Sequence, residues 1–306
     1  MKGIQIQYLR SEALLLLTAI IWGFAFVAQR VGMDFIRPFT YNGIRFALGS
    51  LVLVPFIIFR NSQQTRHEKE MPLRGSISPW KAGIIAGIVL FCGASLQQAG
   101  MVYTTAGKAG FITGLYVILV PVIGIFRRQK AGKSLWAGAI IALTGMYFLC
   151  ITGDFSLAPG DFLVFLSAFF WAAHVQVIHN YSGRADVLKL AAVQFGVCSL
   201  ASLAFAVFKE TIVPERILQA AVPVLYGGLL SVGIAYTLQV FAQQKAHPSH
   251  AAIILSLETV FAAFGGWLIL GEALSGRAIA GCALMLAGML IAQLSGPKRP
   301  EIIRPI

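Results

Sequence analysis

Ala19-Ile20-Ile21-Trp22 returns, 149 residues further on, as Ala168-Phe169-Phe170-Trp171. The same offset carries Arg45-Phe46 onto Gln194-Phe195 and Ser50-Leu51 onto Ser199-Leu200. Leu96-Gln97 matches Leu238-Gln239 at an offset of 142, and Gly138 and Gly145-Met146 match Gly281 and Gly288-Met289 at 143. A drift of this size is what loop-length differences leave between two copies of one unit. Each copy fills about half the chain and holds five apolar segments. Five is odd, so a second copy threading a bilayer enters it from the opposite side.

Composition agrees with a bilayer. The chain is 58% hydrophobic and 12% charged, against about 25% charged for a soluble domain. Lys and Arg number 24 against 12 Asp and Glu. Nucleic-acid binding would need that charge on one face of a soluble fold, whereas here it sits in short links between apolar runs. The chain is therefore read as having no nucleic-acid partner. The four cysteines, Cys92, Cys150, Cys198 and Cys282, lie inside apolar runs without CxxC spacing and read as packing residues. Lys2, Arg10 and the run Ala13 to Val27 resemble a signal peptide, but no small-x-small cleavage site closes the run. It reads as an uncleaved first span.

A span needs about 20 apolar residues. That length places helices near 13–31, 39–59, 82–103, 107–126 and 135–152, then 160–179, 187–208, 222–243, 250–270 and 277–294. The expected fold is all-α and integral to the membrane: ten transmembrane helices as two inverted five-helix repeats, 13–152 and 160–294. Links such as Thr104-Thr105-Ala106 and the one from Gly271 to Gly276 leave no room for a soluble domain. Arg60 to Trp80, with Pro72, Gly75 and Pro79, reads as the one sizeable loop. With both termini cytoplasmic, the inner segments hold 17 basic residues and the outer loops 6, the bias the positive-inside rule requires. Gly83 and Gly87, Gly107 and Gly114, and Gly281 and Gly288 set small residues at helical spacing for close packing. Pro121 removes a backbone bond and is expected to kink the fourth span.

Ionisable residues at membrane depth are costly and mark candidate functional positions. Arg45 lies about 9 Å into the second span, and Glu258 about 12 Å into the ninth, at 1.5 Å per residue. Arg45 either snorkels, pins helix ends, or contacts a substrate, for which a carboxylate would suit it. Glu258 either pins helices or takes part in coupling. His174, three residues after Trp171, stands where the first copy has Ala25, and serves as a satisfied interior histidine or as a proton relay. His179, His247 and His250 fall near span ends. Trp22 and Trp171 occupy equivalent mid-span positions, and Tyr103, Tyr116 and Tyr236 add aromatic faces at or near the interior. Buried amides and hydroxyls must face protein or water, so Gln97, Gln98, Thr113, Gln176, Gln194 and Gln239 join the candidate wall. The unmatched pairs Arg45 with Gln194, Tyr116 with Glu258 and Ala25 with His174 are where a central cavity loses its symmetry. GxxxxGK[ST], HExxH and GxSxG are absent from the sequence. The reading is accordingly of no enzyme, no metal site and no cofactor.

Taken together, Trp22-Gly23 with its echo at Trp171, Arg45-Phe46, Tyr103-Thr104-Thr105-Ala106-Gly107, Ser256-Leu257-Glu258 and Leu270-Gly271-Glu272 resemble the EamA family of the drug/metabolite transporter superfamily. The resemblance covers about 13–294 as two tandem repeats. It implies a ten-helix carrier of the bacterial inner membrane that exports small metabolites, amino acids or drugs. Where the family has Pro after Ser-Leu-Glu, this chain has Thr259, and the ninth helix is expected to run without a kink there. Inverted halves with a midplane site suit a secondary carrier working by alternating access. The alternatives are a channel-like facilitator and a membrane enzyme or lipid-handling protein. The expected partners are a small-molecule substrate, the lipid bilayer and protons as coupling ion, with the chain a monomer or dimer.

Overall fold

Apolar runs of this length find no partner in hydrocarbon for their backbone N–H and C=O groups except their own turns, and helix is the outcome. In the computed structural model, which describes residues 2–63, 77–103, 106–129, 131–150, 159–271 and 275–293, every element among the described residues is helical. The first half contains α1 (Lys2–Gly32), α2 (Pro38–Gln63), α3 (Pro79–Gly100), α4 (Ala106–Gly114), α5 (Tyr116–Phe126) and α6 (Lys133–Cys150). The second begins with α7 (Pro159–Ser182) and α8 (Val187–Lys209), followed by the short α9 (Pro214–Gln219) and α10 (Ala221–Leu225). A wider, π-type helix α11 (Tyr226–Tyr236) continues into α12 (Thr237–Ala242). α13 (Pro248–Leu255), α14 (Glu258–Leu270) and α15 (Gly276–Gln293) complete the order.

The sequence sets many of these boundaries directly. Proline opens α2, α3, α7, α9 and α13, where its fixed φ suits the first turn and its missing N–H costs nothing. Asp186 caps α8 by accepting from the Lys189 N–H. Gly271, at φ 69°, ends α14 in the left-handed region that glycine enters freely. Links 64–76, 104–105, 151–158 and 272–274 lie outside the described residues, and with them most of the expected Arg60 to Trp80 loop.

Among the described residues, seven helices are long and apolar enough to cross a membrane: Gln7–Gly32, Pro38–Gln63, Pro79–Gly100, Pro159–Ser182, Val187–Lys209, Ala221–Ala242 and Pro248–Leu270. Three shorter apolar helices, Ile112–Phe126, Lys133–Leu149 and Gly276–Ala292, fall at the remaining apolar segments of the sequence. The halves interleave. α6 packs along α15, α2 along α8, and α3 against both α7 and α8, while α1 lies against α11 and α14. The α6–α15 seam is backbone against backbone. A Cβ on Gly138 would stand 2.5 Å from the Gly288 carbonyl oxygen, and one on Gly281 2.6 Å from that of Gly145. Gly83 and Gly87 similarly meet Val193 and Val197 of α8, and Gly114 meets Met146.

Two of the apolar segments are interrupted, the ninth against expectation. The fourth apolar segment breaks at Leu115, between α4 and α5, six residues before Pro121, which sits inside α5. The ninth segment breaks as well, at Ser256-Leu257, although it lacks the proline. Its turns tighten there: Leu257, Thr259 and Val260 donate three residues back, to Ile254, Ser256 and Leu257, and the Ser256 hydroxyl donates to the Ile253 carbonyl at 2.8 Å. A serine that bonds to the backbone of its own turn bends a helix without proline.

Candidate functional site

The two breaks face each other. Tyr116 is the first residue of α5 and Glu258 the first of α14, 142 residues apart in the chain. Tyr116 Oη donates to Glu258 Oε1 at 3.3 Å, both side chains being buried. They line a partly open cavity among the helices. Its wall draws on the first, second, third, fourth, sixth, eighth and ninth apolar segments, so no single helix owns it.

Ten of the residues singled out from sequence stand on this wall: Trp22, Arg45, Gln97, Thr113 and Tyr116 from the first half, and Trp171, His174, Tyr236, Gln239 and Glu258 from the second. Gln97 Nε2 donates to Thr113 Oγ1 at 3.0 Å, tying α3 to α4. His174 Nε2 lies 3.0 Å from Gln194 Oε1, so the ring that breaks the internal symmetry is held by the residue equivalent to Arg45. Trp22 Nε1 donates to the Ser231 carbonyl at 3.3 Å, a group in the widened helix α11. Gln239 Oε1 and Trp171 Nε1 are buried without a partner. Around Tyr236 the rings of Trp22, Trp171 and His174 gather at centroid distances of 4.5, 6.3 and 6.1 Å.

Arg45 is buried, at 2% exposure. Its Nε donates to Asn42 Oδ1 at 3.0 Å, and Asn42 Nδ2 in turn donates to the Ala94 carbonyl of α3 at 3.1 Å. The guanidinium carbon lies 5.3 Å from the Tyr41 ring centre and 4.9 Å from that of Phe46. No carboxylate of the described residues forms an ion pair with it.

Other candidates fall elsewhere. Tyr103 is 64% exposed on the turn after α3, not turned to the interior, the position of an interfacial aromatic. Gln176 exchanges hydrogen bonds with Gln129 and donates to the Val120 carbonyl, closing one end of the bundle. Gln98 is buried with both amide atoms unpartnered, away from the cavity wall. The cavity also uses Phe26, Gln29, Val175, Ser231 and Leu255, which sequence reasoning passed over. Trp22, Phe26 and Gln29 sit at i, i+4 and i+7, one helical face, so Trp22 could have pointed to the other two. Among the described residues, no group of three His, Cys, Asp or Glu side chains is arranged to hold a metal ion.

Fold and site together define a helical membrane protein with a polar and aromatic cavity buried among its spans. The chain belongs to the EamA-like transporter family, whose sequence model matches residues 9–151 and again 158–293. A protein of Archaeoglobus fulgidus named an uncharacterized transporter is 32% identical over 290 residues, 94% of this chain and 87% of its own. The Bacillus subtilis transporter YoaV is 26% identical over 89% of this chain and 92% of its own length. YedA of Escherichia coli K12, named an inner membrane transporter, is 25% identical over 84% of this chain and 81% of its own. One crystal structure of a protein 20% identical to this chain shares the fold, with a TM-score of 0.72 over 93% of this chain and 96% of that one.

Proposed function

We propose that the chain is a secondary active transporter that moves a small organic molecule across a bacterial inner membrane, in the export direction, by alternating access. The observation that carries this reading is the pair of helix breaks at Leu115 and Ser256-Leu257. They stand at equivalent places in the two sequence copies, and both open onto one cavity. Paired interruptions in the two halves of a carrier mark where the substrate sits, because freed backbone and side-chain groups there replace its hydration. In this reading the ten apolar segments are ten spans, the halves (13–152 and 160–294) are inverted, and both termini are cytoplasmic, which the excess of basic residues on that side supports. Trp22, Arg45, Gln97, Thr113, Tyr116, Trp171, His174, Gln239 and Glu258 bind or couple, and protons are the coupling ion, exchanged at Glu258 or His174.

Metabolite profiling of cells overexpressing or lacking the gene identifies the transported compound, and proteoliposomes loaded with it test the mechanism. Saturable uptake that accumulates substrate when a pH gradient is imposed is the expected result. Glu258→Gln or His174→Gln then removes the pH dependence while binding persists. Flux that never saturates and ignores every ion gradient would identify a channel-like facilitator instead, and wild-type pH dependence in both variants would end the proton assignment.

A further inference from the structure

The cavity holds one buried cation whose charge the described protein does not balance. Taking a guanidinium out of water is expensive unless an anion or a full set of hydrogen bonds receives it. Among the described residues Arg45 makes one hydrogen bond, through Nε to Asn42. Two aromatic rings flank it, and their faces stabilise a cation without neutralising it. Asn42 is itself fixed by the Ala94 carbonyl, so Nε is committed and the guanidinium is oriented. Among the described residues neither Nη nitrogen has a hydrogen-bond partner, and Gln29 Oε1, Trp171 Nε1 and Gln239 Oε1 elsewhere on the wall are also unpartnered. Arg45 is one of the residues that line the cavity, the open space beside it.

A structural pin would bond its Nη nitrogens to carbonyls or to an acid of a neighbouring helix. Here the one carboxylate on the cavity wall, Glu258, makes its contact with Tyr116 and forms no ion pair with Arg45. The equivalent position in the other half is Gln194, turned to His174, so the positive charge has no counterpart across the cavity. The same cavity wall includes apolar and aromatic side chains, among them Trp22, Phe26, Tyr236, Val175 and Leu255.

We infer that Arg45 is the anion-binding residue of the cavity, that its Nη edge receives the carboxylate of an organic acid, and that Trp22, Phe26 and Tyr236 hold the acid's apolar body. Two parallel N–H···O bonds are the pairing a guanidinium edge and a carboxylate make. Asn42 is a positioning residue, keeping the Nη edge turned inward by occupying Nε. This inference rests on the carrier reading above and adds the class of its substrate.

The test compares carboxylates with their neutral amides in the purified, detergent-solubilised full chain. Benzoate and benzamide, phenylacetate and phenylacetamide, and isovalerate and isovaleramide serve as pairs, at fixed ionic strength, with sodium chloride and sodium sulfate as inorganic controls. Thermal unfolding reports binding, because a ligand of the folded state raises the midpoint in a concentration-dependent way. The acids should stabilise the wild-type protein and the amides should not. Arg45→Gln should weaken the acids' apparent affinity by about ten- to a hundredfold, the loss expected for charge-assisted hydrogen bonds. Arg45→Lys should keep the preference for acids at reduced affinity, since a lysine offers the charge without the fork. Size-exclusion profiles matching wild type establish that both variants fold.

Acids and amides acting alike, inorganic anions acting as well as the acids, no stabilisation by any acid, or undiminished binding to Arg45→Gln each overturns the anion site. A neutral solute carried saturably by Arg45→Gln at the wild-type rate overturns it while leaving the carrier intact. Acids that bind at Arg45 without any saturable flux leave the anion site standing and defeat the carrier reading alone.

Discussion

His247 shows how a single side chain holds two tasks in tension. It caps α13 by accepting from the Ser249 N–H through Nδ1 at 3.4 Å, which requires that nitrogen to be unprotonated. Its ring also stands between those of His179 and His250, at centroid distances of 6.3 and 6.0 Å. Burial, followed by those two neighbours, lowers its pKa from 6.5 to about 4. The folded state therefore binds fewer protons than the unfolded one between those values, so stability falls as pH drops from about 6.5 toward about 4 and is fully restored above that window. His247→Asn keeps a side-chain oxygen for the cap and removes the titration. The variant should unfold at nearly the wild-type temperature at pH 7.5 and at a higher one at pH 5, measured by thermal scans. Equal melting losses between the two pH values in both proteins would remove His247 as the cause.

At the scale of elements, the closeness of α6 and α15 is the most sensitive contact. Gly281 presents its Cα to the Gly145 carbonyl and the Leu149 N–H, each 2.6 Å from where a Cβ would stand. Neither atom can yield without moving a helix, so Gly281→Ala should cost about 1–3 kcal/mol of stability, the usual range for overpacking. Gly276→Ala, in the same helix with nothing within 4 Å of the added carbon, should cost far less. Thermal unfolding of the two variants side by side reads the difference, and equal losses would mean the seam is loose. That glycine seam was visible in the sequence because small residues at helical spacing have one principal use between spans. The helix positions were visible too, since hydrophobic run length governs them, and so were many of the polar and aromatic residues on the cavity wall, though not Phe26, Gln29 or Ser231. The break at Ser256 was not. It depends on a serine hydroxyl reaching its own backbone, a choice the residue type permits everywhere and the local turn decides. The wide helix α11 was equally hidden. Its glycines, Gly227, Gly228 and Gly233, fit against Tyr41, Leu48 and Val52 of α2, and only that partner gives them meaning. Tyr103 misled because an aromatic near a span end serves the interior and the interface equally well by type.

The molecule as a whole has two ends that are built differently. At one, the Glu210 carboxylate accepts from the N–H groups of Phe39 and Thr40 and from the Thr40 hydroxyl, joining the end of α8 to the start of α2. At the other, Arg60 pairs with Asp186 across the same two helices, so α2 and α8 are clamped at both ends. That second end also carries amide bonds between other helices. Gln129 and Gln176 exchange hydrogen bonds at 3.0 Å, and Gln244 Nε2 donates to the Ser182 carbonyl at 2.8 Å. Neutral amide pairs contribute about 1 kcal/mol each, small enough to be made and broken in a transport cycle, unlike the glycine seam. In the proposed orientation this is the cytoplasmic end, and alternating access requires it to open. The prediction follows from holding it shut. In a chain whose four native cysteines are replaced by alanine or serine, Gln129→Cys and Gln176→Cys together are bridged with a short bis-methanethiosulfonate reagent. Saturable flux of the compound found by metabolite profiling should vanish on bridging and return when dithiothreitol releases the link, with each single-cysteine variant unaffected by the reagent. Bridged protein that still transports at the unbridged rate would show that this end stays closed throughout, and the rocking of the two halves would have to be abandoned for a fixed pore.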